Sequence, residues 1–248
     1  MKIAHPWIYM LALVGVGGVA AGLWSIDVPV REIALAILPF ATTVLGATLA
    51  LHISHHREEA AEHERRRIAL NFAIFTLVRQ WSAVEQCLKD FSASMKPHEI
   101  AFGIPAIKPP DYSGLRVQIE SLAFLFGAAH AQLLMDVAIE QERFAVCMDV
   151  LRQRADFHVQ ELQPAIERTG INSRSTSLEE TRVLLGERIY DTALNQAQEV
   201  VEHFQASARS LPAVVRGLHG AAKGLYPSSL FIKVEPRQAA NSGTRSGS

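Results

Sequence analysis

The sequence predicts an all-α protein in which an N-terminal two-helix transmembrane hairpin precedes a cytoplasmic antiparallel helical bundle. Two uncharged apolar stretches lie close together near the N-terminus, and long amphipathic helical patterns fill most of the remaining chain. No later segment alternates with period two for long enough to build a sheet. We therefore predict a hairpin over 1–53, a helical domain over 54–235 and a disordered tail over 236–248.

The two predicted spans cover 7–24 and 33–51, and neither contains a charged residue. Each approaches the thickness of a bilayer core, and the link between them is short enough to force an antiparallel hairpin. Basic residues flank the pair and are scarce in the link, so the positive-inside rule places both termini in the cytoplasm. A cleaved signal peptide is the alternative for the first span, but its apolar region is too long and Trp24 suits a cleavage site poorly.

Small residues in the first span predict a helix-packing face. Gly15, Gly18 and Gly22 follow one another at spacings of three and four, which puts them on one side of a helix. That face could pack against the second span or against another copy of the chain. In the second span, Pro39 predicts a kink, and Thr42 and Thr43 lie close enough to satisfy freed backbone groups.

A basic triplet, Arg65, Arg66 and Arg67, follows the second span. We predict that it contacts anionic lipid headgroups, the alternative being a solvated helix face paired with nearby glutamates. The whole layout resembles that of bacterial membrane proteins in which a two-helix hairpin precedes a helical cytoplasmic region. This resemblance implies a location in the bacterial inner membrane.

Beyond the spans, helical periodicity begins at Ser54 and meets no Gly or Pro before Pro97. Apolar residues recur at alternating spacings of four and three, the pattern of a helix that packs on other helices. This first seam consists of Leu70, Ile74, Leu77, Trp81, Val84, Leu88 and Phe91. The prolines that follow predict an ordered or semi-ordered linker over 96–113.

Further helices are predicted over 115–126 and 128–160, then from Ser177, which forms a capping box with Glu180. In the helix over 128–160, the candidate buried positions are Leu134, Val137, Phe144, Val146, Met148 and Leu151. The helix predicted from Ser177 carries a second apolar seam, which consists of Tyr190, Leu194, Ala197, Val201, Phe204, Ala208 and Leu211. Pro212 predicts a bend or a new start, followed by a short helix over 213–225 and an extended run over 230–234.

A group of histidines just after the second span is the best candidate for chemistry. His52, His56, Glu59 and His63 are separated by four, three and four residues, so they share a helix face. Imidazoles at this spacing can chelate zinc or another divalent metal, and repeated around an oligomer they could line a pore mouth. The plainer interpretation is a set of amphipathic side chains near headgroups. No other cofactor is predicted.

The remaining polar patterns favour structure over catalysis. Asp136, Glu140 and Arg143 share a face, as do Glu199 and His203, which is typical of surface ion pairs. The sequence has no phosphate loop, no nucleophile elbow, no zinc-protease motif and no dinucleotide fingerprint. Trp81 and the phenylalanines fall on apolar seams, which predicts core packing. Cys87 and Cys147 lie far apart and predict buried, reduced thiols.

These observations favour a non-enzymatic protein. The net charge of −1 argues against nucleic-acid binding. The leading hypothesis is a membrane-anchored helical module that self-associates or docks an unidentified cytoplasmic partner, with membrane lipids as its other contacts. One alternative is an oligomeric channel or membrane-disrupting effector gated by the cytoplasmic domain. A second alternative is a metal-dependent enzyme that uses the histidine face.

Overall fold

The computed structural model describes the backbone of residues 30–91, 96–128, 130–171 and 176–234; side chains are described from Pro39 onward, Ala128 excepted. Every regular element in these ranges is a helix, which confirms the predicted all-α class. The chain divides into two compact units, Met1–Arg65 and Arg66–Ser248. The described part of the second unit is a helical bundle.

The helices are α1 (Val30–Asp90), α2 (Pro97–Gly103), a 3₁₀ helix (Ile119–Ala128), α3 (Ala131–Phe157), a π-helical turn (His158–Leu162), α4 (Gln163–Thr169), α5 (Leu178–Leu185) and α6 (Glu187–Leu225). The π turn joins α3 to α4 without a break. Pro164 therefore lies inside a continuous helical run, where it cannot donate the amide hydrogen bond of a regular helix.

The predicted membrane location is wrong by the criterion of span length and hydropathy. Among the described residues, no helix is long and apolar enough to cross a membrane. This contradicts a location in the bacterial inner membrane with both termini cytoplasmic, and it leaves the transmembrane hairpin unsupported. From His52 onward the helix is rich in histidine and charge.

Several predictions for the hairpin lie outside the described residues. These are the first span over 7–24 and its glycine face of Gly15, Gly18 and Gly22. At Pro39 the helix α1 continues, and the hydroxyls of Thr42 and Thr43 both donate to the Pro39 carbonyl, at 2.9 and 2.7 Å. A proline frees the carbonyl four residues before it rather than its own, so the predicted satisfaction of freed backbone groups by these threonines stays a prediction.

The described residues of the second unit form two apolar clusters. The first joins the C-terminal part of α1 to α2, α3 and α6, and its centre includes the edge-to-face pair Phe91 and Phe204, with ring centroids 6.3 Å apart. The second joins an earlier part of α1 to the 3₁₀ helix, α3 and the C-terminal part of α6. Since both clusters use α1, α3 and α6, these three helices form the frame of the bundle.

Both predicted seams face this core. The fully buried members are Leu70, Ile74, Leu77, Val84, Phe91, Ala197, Phe204 and Leu211, and the others are at least half-buried. On α3 the predicted buried positions are confirmed except for Val146, which is 41% exposed. Val146 precedes Cys147, and it is the cysteine that takes the inward position.

Helix boundaries differ from the prediction at several points. The linker over 96–113 contains α2, whose Ile100 and Ala101 are buried. The helix predicted over 115–126 is a 3₁₀ helix that begins at Ile119. At the C-terminus, the run over 230–234 forms no regular secondary structure, and the predicted tail over 236–248 lies outside the described residues.

The helix predicted from Ser177 is two helices. The hydroxyl of Ser177 caps α5 by accepting from the Glu180 amide at 3.1 Å, as the capping motif predicts. Gly186 then ends α5 with φ of +81° and ψ of +147°, a conformation that side chains oppose. By contrast, α6 continues through Pro212 to Leu225, so this proline neither ends the helix nor starts a new one.

Candidate functional site

An exposed apolar surface lies on the part of α1 within the second unit. Ile68, Phe72 and Phe75 are separated by four and three residues, so they lie on one face, and they are 55%, 51% and 43% exposed. The ring centroids of Phe72 and Phe75 are 6.5 Å apart. The guanidinium of Arg79 lies over the Phe75 ring at 5.8 Å and forms a cationic edge.

The chain after α6 extends this surface. The side-chain amide of Asn71 donates to the Leu230 carbonyl at 3.3 Å. The backbone amide of Ile232 donates to the Asn71 side-chain oxygen, also at 3.3 Å. Leu230 is 84% exposed and Ile232 is 37% exposed. We call Ile68, Phe72, Phe75, Leu230 and Ile232 the Phe72 surface.

Phe231 anchors the extended residues on either side of it. Its ring is buried and lies 6.4 Å from the Tyr226 ring and 6.5 Å from the His219 ring. The Lys223 ammonium lies over the same ring at 5.7 Å and donates to the Ser229 carbonyl at 2.8 Å. Because alternate side chains of an extended segment point in opposite directions, burial of Phe231 directs Leu230 and Ile232 outward.

The predicted role of the phenylalanines in the core is therefore only partly correct. Phe91, Phe144, Phe204 and Phe231 are buried, whereas Phe72, Phe75 and Phe126 are exposed. Large apolar side chains that gather on a surface mark a site of association more often than chance exposure does. The sequence carried one signal for this surface, because Phe72 and Phe75 lie outside the seam that starts at Leu70.

In the first unit, the histidine face is partly assembled. The Nε2 atoms of His52 and His56 lie 3.1 Å apart, and the two rings meet edge to face with centroids 4.3 Å apart. Glu59 contacts His55 Nε2 at 3.3 Å and His56 Nδ1 at 3.6 Å. His63 is exposed on the same helix. No set of three or more His, Cys, Asp or Glu in the described ranges is arranged to hold a metal, so the four-residue metal site stays a prediction.

The basic triplet does not act as one group. Arg65 is exposed, Arg67 is half-buried, and Arg66 places its guanidinium over the Phe124 ring at 5.5 Å. Within the second unit, Arg66 therefore contacts the 3₁₀ helix. The positive-inside rule, which uses only the charge of such residues, does not require this contact. A lipid-headgroup role for Arg65, Arg66 and Arg67 stays a prediction.

A small cleft of about 190 Å³ lies between the loop before the 3₁₀ helix and α3. Charged groups line it: Asp111, Arg116, Asp149 and Arg152. Arg152 is paired with Asp149 at 2.7 Å, and the Ser113 amide donates to Asp111, which lowers the pKa of that carboxyl. Small-molecule sites are commonly 300–1,000 Å³ or larger and mostly apolar, so this cleft is a weak candidate.

Buried polar groups tie the elements of the bundle together. Arg154 of α3 is almost fully buried and donates to the carbonyls of Ile100 and Ile104, at 2.7 and 2.8 Å, and more weakly to that of Pro105. These carbonyls end α2, where a cation is favoured by the helix dipole. Burial lowers the pKa of Arg154. The predicted linker is thus held on α3 by a guanidinium.

A second buried network joins α1, α3 and the loop before the 3₁₀ helix. Gln80 donates to the Leu115 carbonyl at 2.8 Å and to the Gln141 side-chain oxygen at 3.1 Å. The same oxygen accepts from the Val117 amide at 2.8 Å. The network fixes the loop on the bundle. It could not be predicted from the sequence, because glutamines are usually exposed.

The predicted ion pair of Glu140 and Arg143 is present, but it is not a surface pair. Arg143 contacts Glu140 at 2.6 Å and also donates to Ser210 of α6 at 3.0 Å. Glu140 is only 2% exposed, and its second carboxylate oxygen has no hydrogen-bond partner among the described residues. Asp136 instead accepts from Gln132. The predicted partners Glu199 and His203 are both exposed on α6.

The thiols are not activated as nucleophiles. Burial raises the pKa of Cys147 to about 12, with smaller contributions from Cys87 and Glu140. Burial, and then Asp90, raise the pKa of Cys87 to about 11. Both cysteines are free, Cys147 is buried and Cys87 is half-buried. Thiolate is the reactive form, so both thiols are inert near neutral pH.

These features define a helical bundle with an exposed apolar surface. Comparison of the chain with protein-family models, with curated proteins and with solved structures found no match. Its function is therefore inferred from its own residues.

Proposed function

We propose that this protein is a non-enzymatic helical module that self-associates, with two copies meeting through the Phe72 surface. The observation that carries the proposal is the exposure of Ile68, Phe72 and Phe75 on one face of α1. Aromatic and aliphatic side chains of this kind form the central contacts of protein interfaces.

The size of the Phe72 surface supports a second copy as its partner. At about 200 Å² for a side chain of this size, the fractional exposures amount to roughly 500 Å² per chain. A two-fold pair buries the same surface on both copies and so removes roughly 1,000 Å², the lower limit for a specific interface. Since the surface only just reaches this limit, the proposed association is weak and depends on concentration.

The anchoring of the surface also favours association. Asn71 and Phe231 hold Leu230 and Ile232 in place before any partner arrives. Little chain entropy is then lost when a second copy binds. An apolar segment that was not anchored would bind less tightly for the same buried area.

Light scattering of the full-length chain over a concentration series tests the proposal. We expect the apparent mass of the wild type to rise toward that of a dimer. Phe72→Glu places a charge in the contact and should keep the chain a monomer. Val183→Glu is the matched control, because Val183 is 74% exposed on α5, outside the Phe72 surface, and should behave as the wild type does.

Disulfide trapping gives a second measurement. In a two-fold contact centred on Phe72, the two copies of Phe72→Cys face each other and should crosslink under mild oxidation, whereas Val183→Cys should not. The native thiols interfere little because their pKa values are raised by burial. A wild type that stays monomeric at the highest concentration would refute self-association and would direct attention to a different protein partner. Equal effects of the Phe72 and Val183 changes would also refute it.

A further inference from the structure

We propose that His52 and His56 form a chelating pair for a borderline divalent cation such as Zn²⁺, with water completing the coordination. The pair lies in the first unit, and this inference is independent of the proposed self-association. It is also narrower than the four-residue face of the sequence prediction, because the contact seen among the described residues joins the imidazoles of His52 and His56.

The geometry of the pair matches a bidentate site. Zinc binds imidazole nitrogen at about 2.0–2.1 Å. The two Nε2 atoms lie 3.1 Å apart. An ion at about 2.0–2.1 Å from both would make an N–metal–N angle of about 100°, close to the tetrahedral angle of about 109°. The spacing of four residues on α1 brings the rings together, so the helix itself presets the chelate.

Glu59 supplies the support that a metal-binding histidine requires. Its carboxylate lies 3.6 Å from His56 Nδ1, on the opposite side of the ring from the Nε2 that faces His52. At 3.6 Å this contact is longer than a hydrogen bond. A small rotation of the carboxylate on metal binding would let it accept from Nδ1–H, an arrangement that leaves the Nε2 lone pair for the cation. The same carboxylate contacts His55 Nε2 at 3.3 Å, which makes His55 a neighbour of the pair rather than a member.

The proposed metal site is open to solvent, because its ligands are exposed. His52, His56 and Glu59 are all exposed, and a site with two protein ligands leaves positions for water or for an exchangeable ligand. Two protein ligands leave most of the coordination shell open, so the site imposes little geometry of its own and selects among metals by intrinsic affinity. Copper should therefore bind most tightly, and nickel should bind more tightly than cobalt.

The test is a zinc titration of the full-length chain in competition with a chromophoric chelator, with zinc as the only added metal. We expect one zinc per chain. His52→Ala and His56→Ala should each weaken zinc binding by about 100-fold, because each removes the chelate partner of the other. Glu59→Gln should weaken binding by about 10-fold. His55→Ala is the matched control on the same helix and should change binding by less than about 3-fold.

Electron paramagnetic resonance of the Cu²⁺-loaded chain gives an independent readout. We expect splitting from two equivalent nitrogens in the wild type and from one in either alanine variant. The proposal is overturned if the wild type binds no zinc at millimolar metal, or if the double variant retains wild-type affinity. It is equally overturned if His63→Ala weakens binding as much as His56→Ala, since the ligand set would then be the wider face. Exposed alanine variants on a helix keep the fold, which circular dichroism checks.

Discussion

Arg154 is a charged residue at a position where the pattern of α3 demands burial. Glu140, Phe144, Cys147, Leu151, Arg154 and His158 follow one another at alternating spacings of four and three. Three of the six, Glu140, Arg154 and His158, have acidic or basic side chains, yet Glu140 and Arg154 are as buried as their apolar neighbours. Each is accommodated by a partner, namely Arg143 for Glu140 and the carbonyls that end α2 for Arg154.

We predict that Arg154→Met destabilises the protein by about 3 kcal/mol, because the carbonyls of Ile100 and Ile104 lose their partner while remaining buried. Equilibrium urea unfolding measures the loss. Arg152→Met is the control. Arg152 is exposed, and its ion pair among the described residues is with the exposed Asp149, so its replacement should cost less than about 1 kcal/mol. Equal losses in the two variants would contradict the anchoring role of Arg154.

His158 makes stability depend on pH. Burial, and then the cation of Arg154, lower the pKa of His158 below its ordinary value of 6.5. The native state therefore favours the neutral imidazole, and the unfolded chain binds more protons as the pH falls through 6.5. This contribution to stability is fully present above pH 6.5 and is lost as the pH falls toward the lowered native pKa.

The corresponding prediction compares urea midpoints at neutral and at mildly acidic pH. The wild type should lose more stability on acidification than His158→Gln, which cannot titrate. His203→Gln, which removes an exposed histidine from α6, should retain the acid sensitivity of the wild type. If His158→Gln leaves the pH dependence unchanged, another group causes it.

Residue type alone predicts burial wrongly where a charged side chain finds a hydrogen-bond partner far away in the sequence. The spacing on α3 predicted the inward positions of Phe144 and Leu151, and the same spacing includes Arg154. Arginine and glutamate are rarely buried, so a sequence favours exposure for them. The partners of Arg154 lie about fifty residues earlier in the chain, and no local pattern reveals that pairing.

At the scale of elements, Gly186 separates α5 from α6. Nothing lies within 4 Å of a Cβ built at this position, so space does not exclude a side chain. The restriction is its backbone, since φ of +81° with ψ of +147° is a region that glycine alone enters at low energy. The helix pattern on either side is continuous, which is why the sequence predicted a single helix.

Gly186→Ala should therefore destabilise the protein by about 1–3 kcal/mol. Gly224→Ala is the matched control. Gly224 lies within α6 and also has open space around it, but it has helical backbone geometry, so alanine there should be neutral or slightly stabilising. Thermal unfolding distinguishes the two. A neutral Gly186→Ala would mean that the turn relaxes without cost.

Helices were predicted reliably where apolar periodicity was long and wrongly where the chain turns. The seams of α1 and α6 predicted their buried faces because each spans several turns. Pro97 was interpreted as part of a linker, although proline suits the first turn of a helix as α2 uses it. Pro212 likewise remains inside α6, because the packing of Leu211 and Val215 on either side of it outweighs the lost hydrogen bond.

At the scale of the whole molecule, the all-α class followed from the absence of alternating patterns, and it holds. The membrane prediction rested on the absence of charge over 7–24 and 33–51. The first of these stretches lies outside the described residues, and no helix among the described residues is long and apolar enough to cross a membrane. The Phe72 surface was not foreseen. A sequence shows that a phenylalanine lies beside a seam, but only the fold shows whether another element covers it.

Self-association predicts that thermal stability depends on protein concentration. The dimer is favoured at higher concentration, so a tenfold increase should raise the Tm of the wild type by about 2 °C. Phe72→Glu should show no such rise, and Val183→Glu should show the full one. A concentration-independent Tm in the wild type would argue against the proposed contact.

The bonds from Arg154 to Ile100 and Ile104 also restrict how the native state can open. If α2 lifted away alone, the guanidinium would stay enclosed without any acceptor, which is a costly arrangement. Local fraying at 100–104 is thereby coupled to loosening of α3 around Arg154. In native-state hydrogen exchange, the amides of this short helix should consequently exchange at the slow rate of the long one, as members of a single cooperative unit.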